Sequence, residues 1–470
     1  MIKPPHAVAS WLFPALCLMI GFSGCVVPPK RPAGSSRDHA FITYWPLPAK
    51  SNQLKLAIKD NIDMKGVVTT AGSEYLAKSS PPAARDAACL AIARERGVHI
   101  VGKVNLSEFA VAPSGINDYF GTPPNPFSGF RKLIPGGSSC GSAYAVATGK
   151  ADIAFGTDTG GSVRVPAACC GVVGLKTTFG LVSLKGVFPI SPQYLDTVGP
   201  LARDVEGVAR GMDLLQRGFA ARYAAAVQNR PSGKAIKIGR LVLKGTDPKI
   251  DQAVDDALAL AGFEVIILED ALRVKWEQAH KDGITIAAAG AWISDRTFST
   301  KLGVSARTRS IIVTGGVAYS TLYRAALARQ ADWQRTLRQV FKQVDFIALP
   351  TLQTLPPPMP PTLRVDLLKA KAEIANLQNI NAAELALNPV KTLVSGIPAT
   401  GLRLLGIDLF EARMLNLQNT IAVNFAGNPA LALPVPLPHG RIPVTSLQLI
   451  GPPLSEAELL ATGRLIEASR

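Results

Sequence analysis

The chain has 470 residues, of which 47% are hydrophobic and 18% charged, with a mean hydropathy of +0.20. That balance excludes a disordered or low-complexity protein, because enough apolar surface is present to offset the entropy lost on ordering. Lys and Arg number 50 against 34 Asp and Glu, a formal charge of +16, yet no basic run or nucleic-acid motif accompanies the excess, so no nucleic-acid partner is expected. Six cysteines without metal-ligand spacing exclude a zinc ribbon and a disulfide-dense scaffold.

The chain opens with one charge, Lys3, followed by an uncharged run over 7–24 that contains Pro14 and closes on Ser23 and Gly24. A charged start, an apolar middle and a small-residue exit describe a secretory signal over 1–24. Cys25 follows directly, as in the bacterial lipobox, where the cysteine is lipidated. Phe22 stands where a lipobox usually has Leu. The alternative is an ordinary signal cut nearby or an uncleaved anchor. Residues 25–39 are rich in Pro, Gly and Ser and are expected to tether a body spanning 40–470. The location expected is therefore periplasmic, with a lipid anchor in the membrane.

In the body, 54–59 and 98–103 are expected to be short strands, with a helix between them over 83–96 that stops at Gly97. Segments 235–242 and 263–268 read as strands flanking a helix at 250–261. A buried strand is expected at 344–349 and a last helix at 454–468. Strand–helix alternation throughout predicts an α/β layered core. Cys89, Cys140, Cys169 and Cys170 sit among small apolar residues, as buried free thiols do.

The stretch 135–180 holds ten glycines, where 41 in 470 would place about four. Such density marks tight turns or close approach of the backbone to a ligand. Two serine loops lie within it, GGSSCGS (136–142) and GTDTGGSVR (156–164). Residues 137–141 also satisfy the G-x-S-x-G nucleophile elbow. That motif needs a strand just before it and a histidine after it. Residues 127–135 predict no strand, and His280 and His439 stand in no catalytic context. Without a histidine, a serine needs another base. A lysine serves if burial keeps it neutral, and AIKDNID (57–63) sets Lys59 at the end of a predicted strand.

These segments resemble the amidase signature family of serine hydrolases. The resemblance runs from about 54 to 467. It is carried by AIKDNIDMKGVVTTAGS (57–73), GKVNLSEFA (102–110), PGGSSCGSAYAVATG (135–149), FGTDTGGSVRVPAACCGVVGLKTTFGLVS (155–183), YLDTVGPLARDV (194–205), NPALALPVP (428–436) and LQLIGPPLSEAELL (447–460). It implies one large domain with a mixed central β-sheet covered by helices on both sides. It also implies a catalytic triad of Lys59 as base, Ser138 as relay after a cis peptide bond, and Ser162 as nucleophile. Backbone N–H groups of Thr159, Gly160, Gly161 and Ser162 would form the oxyanion hole. Asp158 and Arg164 would brace that loop. No metal or organic cofactor is implied.

Ser139 and Ser142 are expected to serve turn hydrogen bonding, Lys176 a structural role and Tyr144 packing. Cys140 replaces the family's usual glycine, and Thr177 the proline of GLKPT. The activity implied is hydrolysis of a small carboxylic amide. Two alternatives stay open: the glutamine-hydrolysing subunit of a tRNA-dependent amidotransferase, and a non-catalytic binding lipoprotein. The region 210–420 is expected to line much of the acyl pocket. Trp276, Trp292 and Trp333 fit core or pocket equally.

Overall fold

Strands supply the frame of the computed structural model, which describes residues 34–48, 51–129, 132–229, 235–360, 419–438 and 442–469. The expected signal, Cys25 and most of the tether lie outside the described residues. Strands β1 (Phe41–Tyr44) and β2 (Lys55–Lys59) lead to helices α1 (Glu74–Ser79) and α2 (Ala91–Glu95). Then come β3 (His99–Val104), α3 (Cys140–Ala147), β4 (Ile153–Asp158), α4 (Arg164–Cys170), β5 (Val173–Lys176) and β6 (Thr197–Ala202). Helices α5 (Val205–Leu215) and α6 (Phe219–Gln228) precede β7 (Lys237–Arg240), α7 (Pro248–Leu260) and β8 (Glu264–Ile267). Helices α8 (Asp270–Asp295), α9 (Ala306–Thr321) and α10 (Tyr323–Val340) follow, and then β9 (Phe346–Pro350). The chain closes with α11 (Ile421–Ala426), β10 (Ala430–Pro436), β11 (Val444–Ile450) and α12 (Glu456–Ala468).

The strands form one 11-stranded sheet in the order β1-β3-β2-β4-β6-β5-β10-β11-β9-β7-β8. It is mixed. β2 runs parallel to β3 and β4, and β7 runs parallel to β8 and β9, while the central strands pair antiparallel. The expected mixed sheet with helices on both faces is the observed architecture.

Side-chain alternation along each strand divides the sheet into two unlike faces. Leu56, Ile58, Ile153, Phe155, Leu431 and Leu433 point to one side and pack on α5, α6, α7 and α12. Ala57, Ala154 and Ala432 point to the other, against Ala143 and Val146 of α3 and Ala167 of α4. Small residues on this second face let α3 and α4 lie close to the sheet. At Gly174 a β-carbon would fall 2.8 Å from Cβ of Ala167. Farther along, Ile347, Leu349 and Ala430 meet Trp276, Trp333 and Phe425.

Local chemistry starts the helices where the sequence allows. Asp204 accepts from the N–H of Gly207 at 2.6 Å and caps α5. Asp247 caps α7, with Pro248 in the first turn, where its missing N–H is harmless. The helix expected over 83–96 is reduced to a 3₁₀ turn at Ala88–Leu90 and the short α2. The reason is tertiary. The N–H groups of Ala83, Ala87 and Ala88 donate to carbonyls of Val67, Asp63 and Lys185, so they cannot serve a helix. The other predicted elements are present, with ends shifted by a few residues. All four body cysteines are free and buried.

Candidate active site

Parallel neighbours β2 and β4 end side by side, with Ile58 in register with Phe155. Lys59 closes β2 on the small-residue face, two residues after Ala57. Thr157 and Asp158 close β4. The turns leading into α3 and α4 arrive above these strand ends, carrying Ser138 and Ser162.

Lys59 is fully buried. Its Nζ donates to Ser138 Oγ at 2.7 Å, to Thr157 Oγ1 at 2.8 Å and to Thr157 O at 3.4 Å. Burial disfavours the ammonium and brings Lys59 down to about 7, against the opposing pull of the carboxylates of Asp158 and Asp196. Its sequence neighbour Asp60 points elsewhere and pairs with buried Lys103 at 2.9 Å. The Lys-Asp dipeptide is therefore not an ion pair.

The Gly137–Ser138 peptide bond is cis. The N–H of Gly137 donates to Pro113 O at 2.7 Å, and the N–H of Ser107 donates to Ser138 O at 3.2 Å. Gly137 has no room for a side chain, since a β-carbon would lie 2.5 Å from the N of Gly115. The two serine loops are tied by the N–H of Ser139, which donates to Ser162 O at 3.1 Å. Ser138 is fully buried, whereas Ser162 keeps 9% exposure and is the member of the trio that faces out.

The loop that carries Ser162 is braced from below. Asp158 Oδ1 accepts from Gly161 N at 2.7 Å, Arg164 Nη2 at 2.9 Å and Asn424 Nδ2 at 2.8 Å. Its Oδ2 accepts from Val163 N and Arg164 Nε, both at 3.1 Å. Burial alone would raise this carboxyl, but the charge and hydrogen bonds of Arg164 hold it well below the usual range. Arg164 also donates to Thr420 O at 3.0 Å and Gln448 Oε1 at 2.6 Å. Thr420 Oγ1 in turn donates to Gly160 O at 2.5 Å. Gly161 has φ +128°, and a β-carbon there would meet Thr420 Oγ1 at 2.2 Å, so only glycine fits.

The four N–H groups expected to form an anion cradle are not equivalent. Gly161 spends its N–H on Asp158. Gly160 and Ser162 direct theirs to no acceptor among the described residues. Thr159 contributes its hydroxyl to Asp196 at 2.7 Å. Burial raises Asp196, while the N–H groups of Ile190 and Ser191 and the hydroxyl of Thr159 oppose the rise.

The remaining named residues fall into place. Ser139 and Ser142 donate to the carbonyls of Thr157 at 3.4 Å and Phe155 at 3.3 Å, which fastens α3 to β4 rather than closing turns. Cys140 is fully buried, and burial pushes its thiol up to about 12. Thr177 donates to Val198 O at 2.9 Å. Tyr144 packs at the edge of the α3 core. Trp276 and Trp333 are core, and half-buried Trp292 packs beside Phe109 and Ile312. Residues 361–418 of the expected acyl region lie outside the described residues. Two cavities of about 680 and 600 Å³, one between α8 and α10 and one between α5 and α6, do not touch Lys59, Ser138 or Ser162.

Sequence reasoning missed Thr157, Thr420, Asn424 and Asp196 as individual participants. Thr157 and Asp196 lie within the family-like segments, so the signal was present without the geometry. Thr420 and Asn424 lie in none of them.

A family model described as Amidase matches residues 54–404. The glutamyl-tRNA(Gln) amidotransferase A-subunit of Halobacterium salinarum is 33% identical over 390 residues, covering 74% of this chain and 90% of that protein. Its namesake from Natronomonas pharaonis is 31% identical over 450 residues, 87% and 93% of the two chains. The crystal structure of the namesake from Thermotoga maritima superimposes with a TM-score of 0.64 at 26% identity, covering 91% of this chain and 86% of that one. Motifs, sheet and family match agree, and the chain belongs to the amidase family.

Proposed function

We propose that this chain cleaves the C–N bond of a carboxylic amide through an acyl-enzyme on Ser162. The observation that carries the reading is the 2.7 Å contact between buried Lys59 and Ser138, made by an amine that burial has brought to about 7. A base poised near the working pH is both deprotonated often enough and basic enough to take a proton. Ser162 Oγ attacks the carbonyl carbon. Its proton moves to Ser138, whose own proton moves to Lys59. The oxyanion is met by N–H groups of the 159–162 turn, with Gly160 and Ser162 the unengaged donors. Collapse breaks the C–N bond, the relayed proton leaves with ammonia or an amine, and water hydrolyses the ester.

The comparisons support one of the alternative substrates. Relatives above 30% identity bear the name of an amidotransferase component, which favours glutamine hydrolysis in company with other subunits over a stand-alone linear-amide hydrolase. The uncharged run over 7–24 and Cys25 support export with a lipid anchor instead. Fractionation of the native protein separates these: recovery in the cytoplasm with partner subunits favours glutamine, and recovery in the envelope favours an exported amidase.

The test of the chemistry is ammonia release from glutamine and from aliphatic, aryl and peptide amides. Ser162→Ala, with an unchanged circular dichroism spectrum, is expected to release none. Full activity in that variant contradicts the mechanism, and an inactive wild-type protein across the panel leaves the non-catalytic alternative standing.

A further inference from the structure

Lys59 Nζ has three oxygen neighbours, and two of them belong to one residue. An ammonium carries three N–H groups, and Ser138 Oγ, Thr157 Oγ1 and Thr157 O take one each. A neutral amine carries two N–H groups and a lone pair. The carbonyl of Thr157 can only accept, so its contact at 3.4 Å takes an N–H and never the lone pair. The second N–H goes to Thr157 Oγ1 or to Ser138 Oγ. Only the first choice turns the lone pair toward Ser138, where a relayed proton must arrive.

The Thr157 hydroxyl is not free to wander. Its main chain is locked in the β4–β6 ladder opposite Val198. Its Oγ1 also accepts from Asn61 Nδ2 at 3.0 Å. Asn61 is itself fixed, because Phe188 N donates to Asn61 O at 2.7 Å and Asn61 Nδ2 reaches Phe188 O at 3.5 Å. The titratable groups set against Lys59 across space are Asp158, Asp196 and the Cys140 thiol, which burial keeps uncharged near neutral pH. None of them makes a hydrogen bond to Nζ. Asp158 is engaged with Arg164, and Asp196 with Thr159, Ile190 and Ser191.

We propose that Thr157 is a positioning residue whose hydroxyl, steered by Asn61, holds the Lys59 amine over Ser138 and sets how firmly that amine keeps the relayed proton. This rests on the reading of Lys59 as the base. Removing the hydroxyl takes away an acceptor of the ammonium while keeping the branched shape of the side chain. The lysine then becomes a weaker base as well as a less directed one.

The experiment is the pH dependence of kcat/KM for wild type, Thr157→Val, Thr157→Ser, Asn61→Ala and the Asn61→Ala/Thr157→Val double variant, with Lys59→Met alongside. Thr157→Val is expected to lower the plateau by about tenfold, short of the roughly 100-fold or more that a general base contributes, because Lys59 itself stays. Its acid limb is expected to move roughly one unit toward lower pH, the direction of a less stabilised ammonium. Thr157→Ser restores the limb, and Asn61→Ala adds less than about twofold once the hydroxyl is gone, as for residues acting through one another. An unmoved limb in Thr157→Val, or equal losses in Thr157→Ser, overturns the proposal. Should Thr157→Val fail to fold, Asn61→Ala decides: an unchanged rate and limb overturns it. Lys59→Met retaining wild-type rate and limb strikes at the base reading itself, a distinct failure.

Discussion

Lys59 and Lys176 are two buried lysines with unlike partners. Each closes a strand, neither has exposed surface, and burial brings each down to about 7. Their partners differ. Lys59 donates to two hydroxyls, Ser138 and Thr157. Lys176 donates to two main-chain carbonyls, Thr177 O and Asn428 O, both at 2.8 Å. A carbonyl accepts but has no proton to pass on, so Lys176 stitches the end of β5 to the entry of β10. A depressed lysine marks burial, and the hydroxyl network marks the lysine that can do proton transfer. Lys103 makes a third case, a buried lysine neutralised by Asp60.

The largest expected effect lies on the Lys59 side. Lys59→Ala and Ser162→Ala are each expected to lower amide turnover by about 10⁴-fold or more, as removal of one member of a catalytic unit does. Lys176→Met is expected to leave kcat/KM per folded molecule within about threefold. Steady-state rates on the three purified variants check this, and equal losses at both lysines would erase the contrast. Next comes the brace beneath the Ser162 loop. Asp158→Ala leaves Arg164 buried and unpaired, at an expected loss of about 3–5 kcal/mol by urea denaturation.

The pH profile is a subtler probe of the same contrast. Below about 7 Lys59 gains its proton, so kcat/KM should fall about tenfold per unit on the acid side. Stability answers to both lysines. Between about 7 and the ordinary lysine value of 10.5, the unfolded chain binds more protons than the folded one, so stability rises with pH across that window. Lys176→Met should flatten that rise without shifting the activity limb, as denaturation midpoints at pH 7.5 and 9.5 would show. The smallest effect is expected at Cys140. Cys140→Ala should change stability by less than about 1.5 kcal/mol and leave the limb in place, because the buried thiol, pushed up to about 12, takes no proton near neutral pH.

Much of the site was legible because its parts are local. Lys59 ends a short apolar strand, and Ser138 and Ser162 sit in glycine loops whose spacing survives in the chain. The brace was legible only in part. Asp158 and Arg164 lie six residues apart, but Asn424, Thr420 and Gln448 come from more than 250 residues away, and nothing local ties them to the loop. The helix expected over 83–96 failed for the same physical reason. Its apolar spacing is real, but long-range acceptors claim its N–H groups first. Gly161 shows the limit of reading roles from a motif. The glycine is required, yet its N–H serves Asp158 rather than standing open.

The most direct test of Ser162 as the nucleophile is covalent labelling of the native protein with a fluorophosphonate, followed by peptide mass spectrometry. One adduct is expected, on Ser162 Oγ. It should be absent in Ser162→Ala, strongly slowed in Lys59→Ala and formed at the wild-type rate in Lys176→Met. An adduct elsewhere, or labelling that persists undiminished in Ser162→Ala, would contradict Ser162 as the nucleophile.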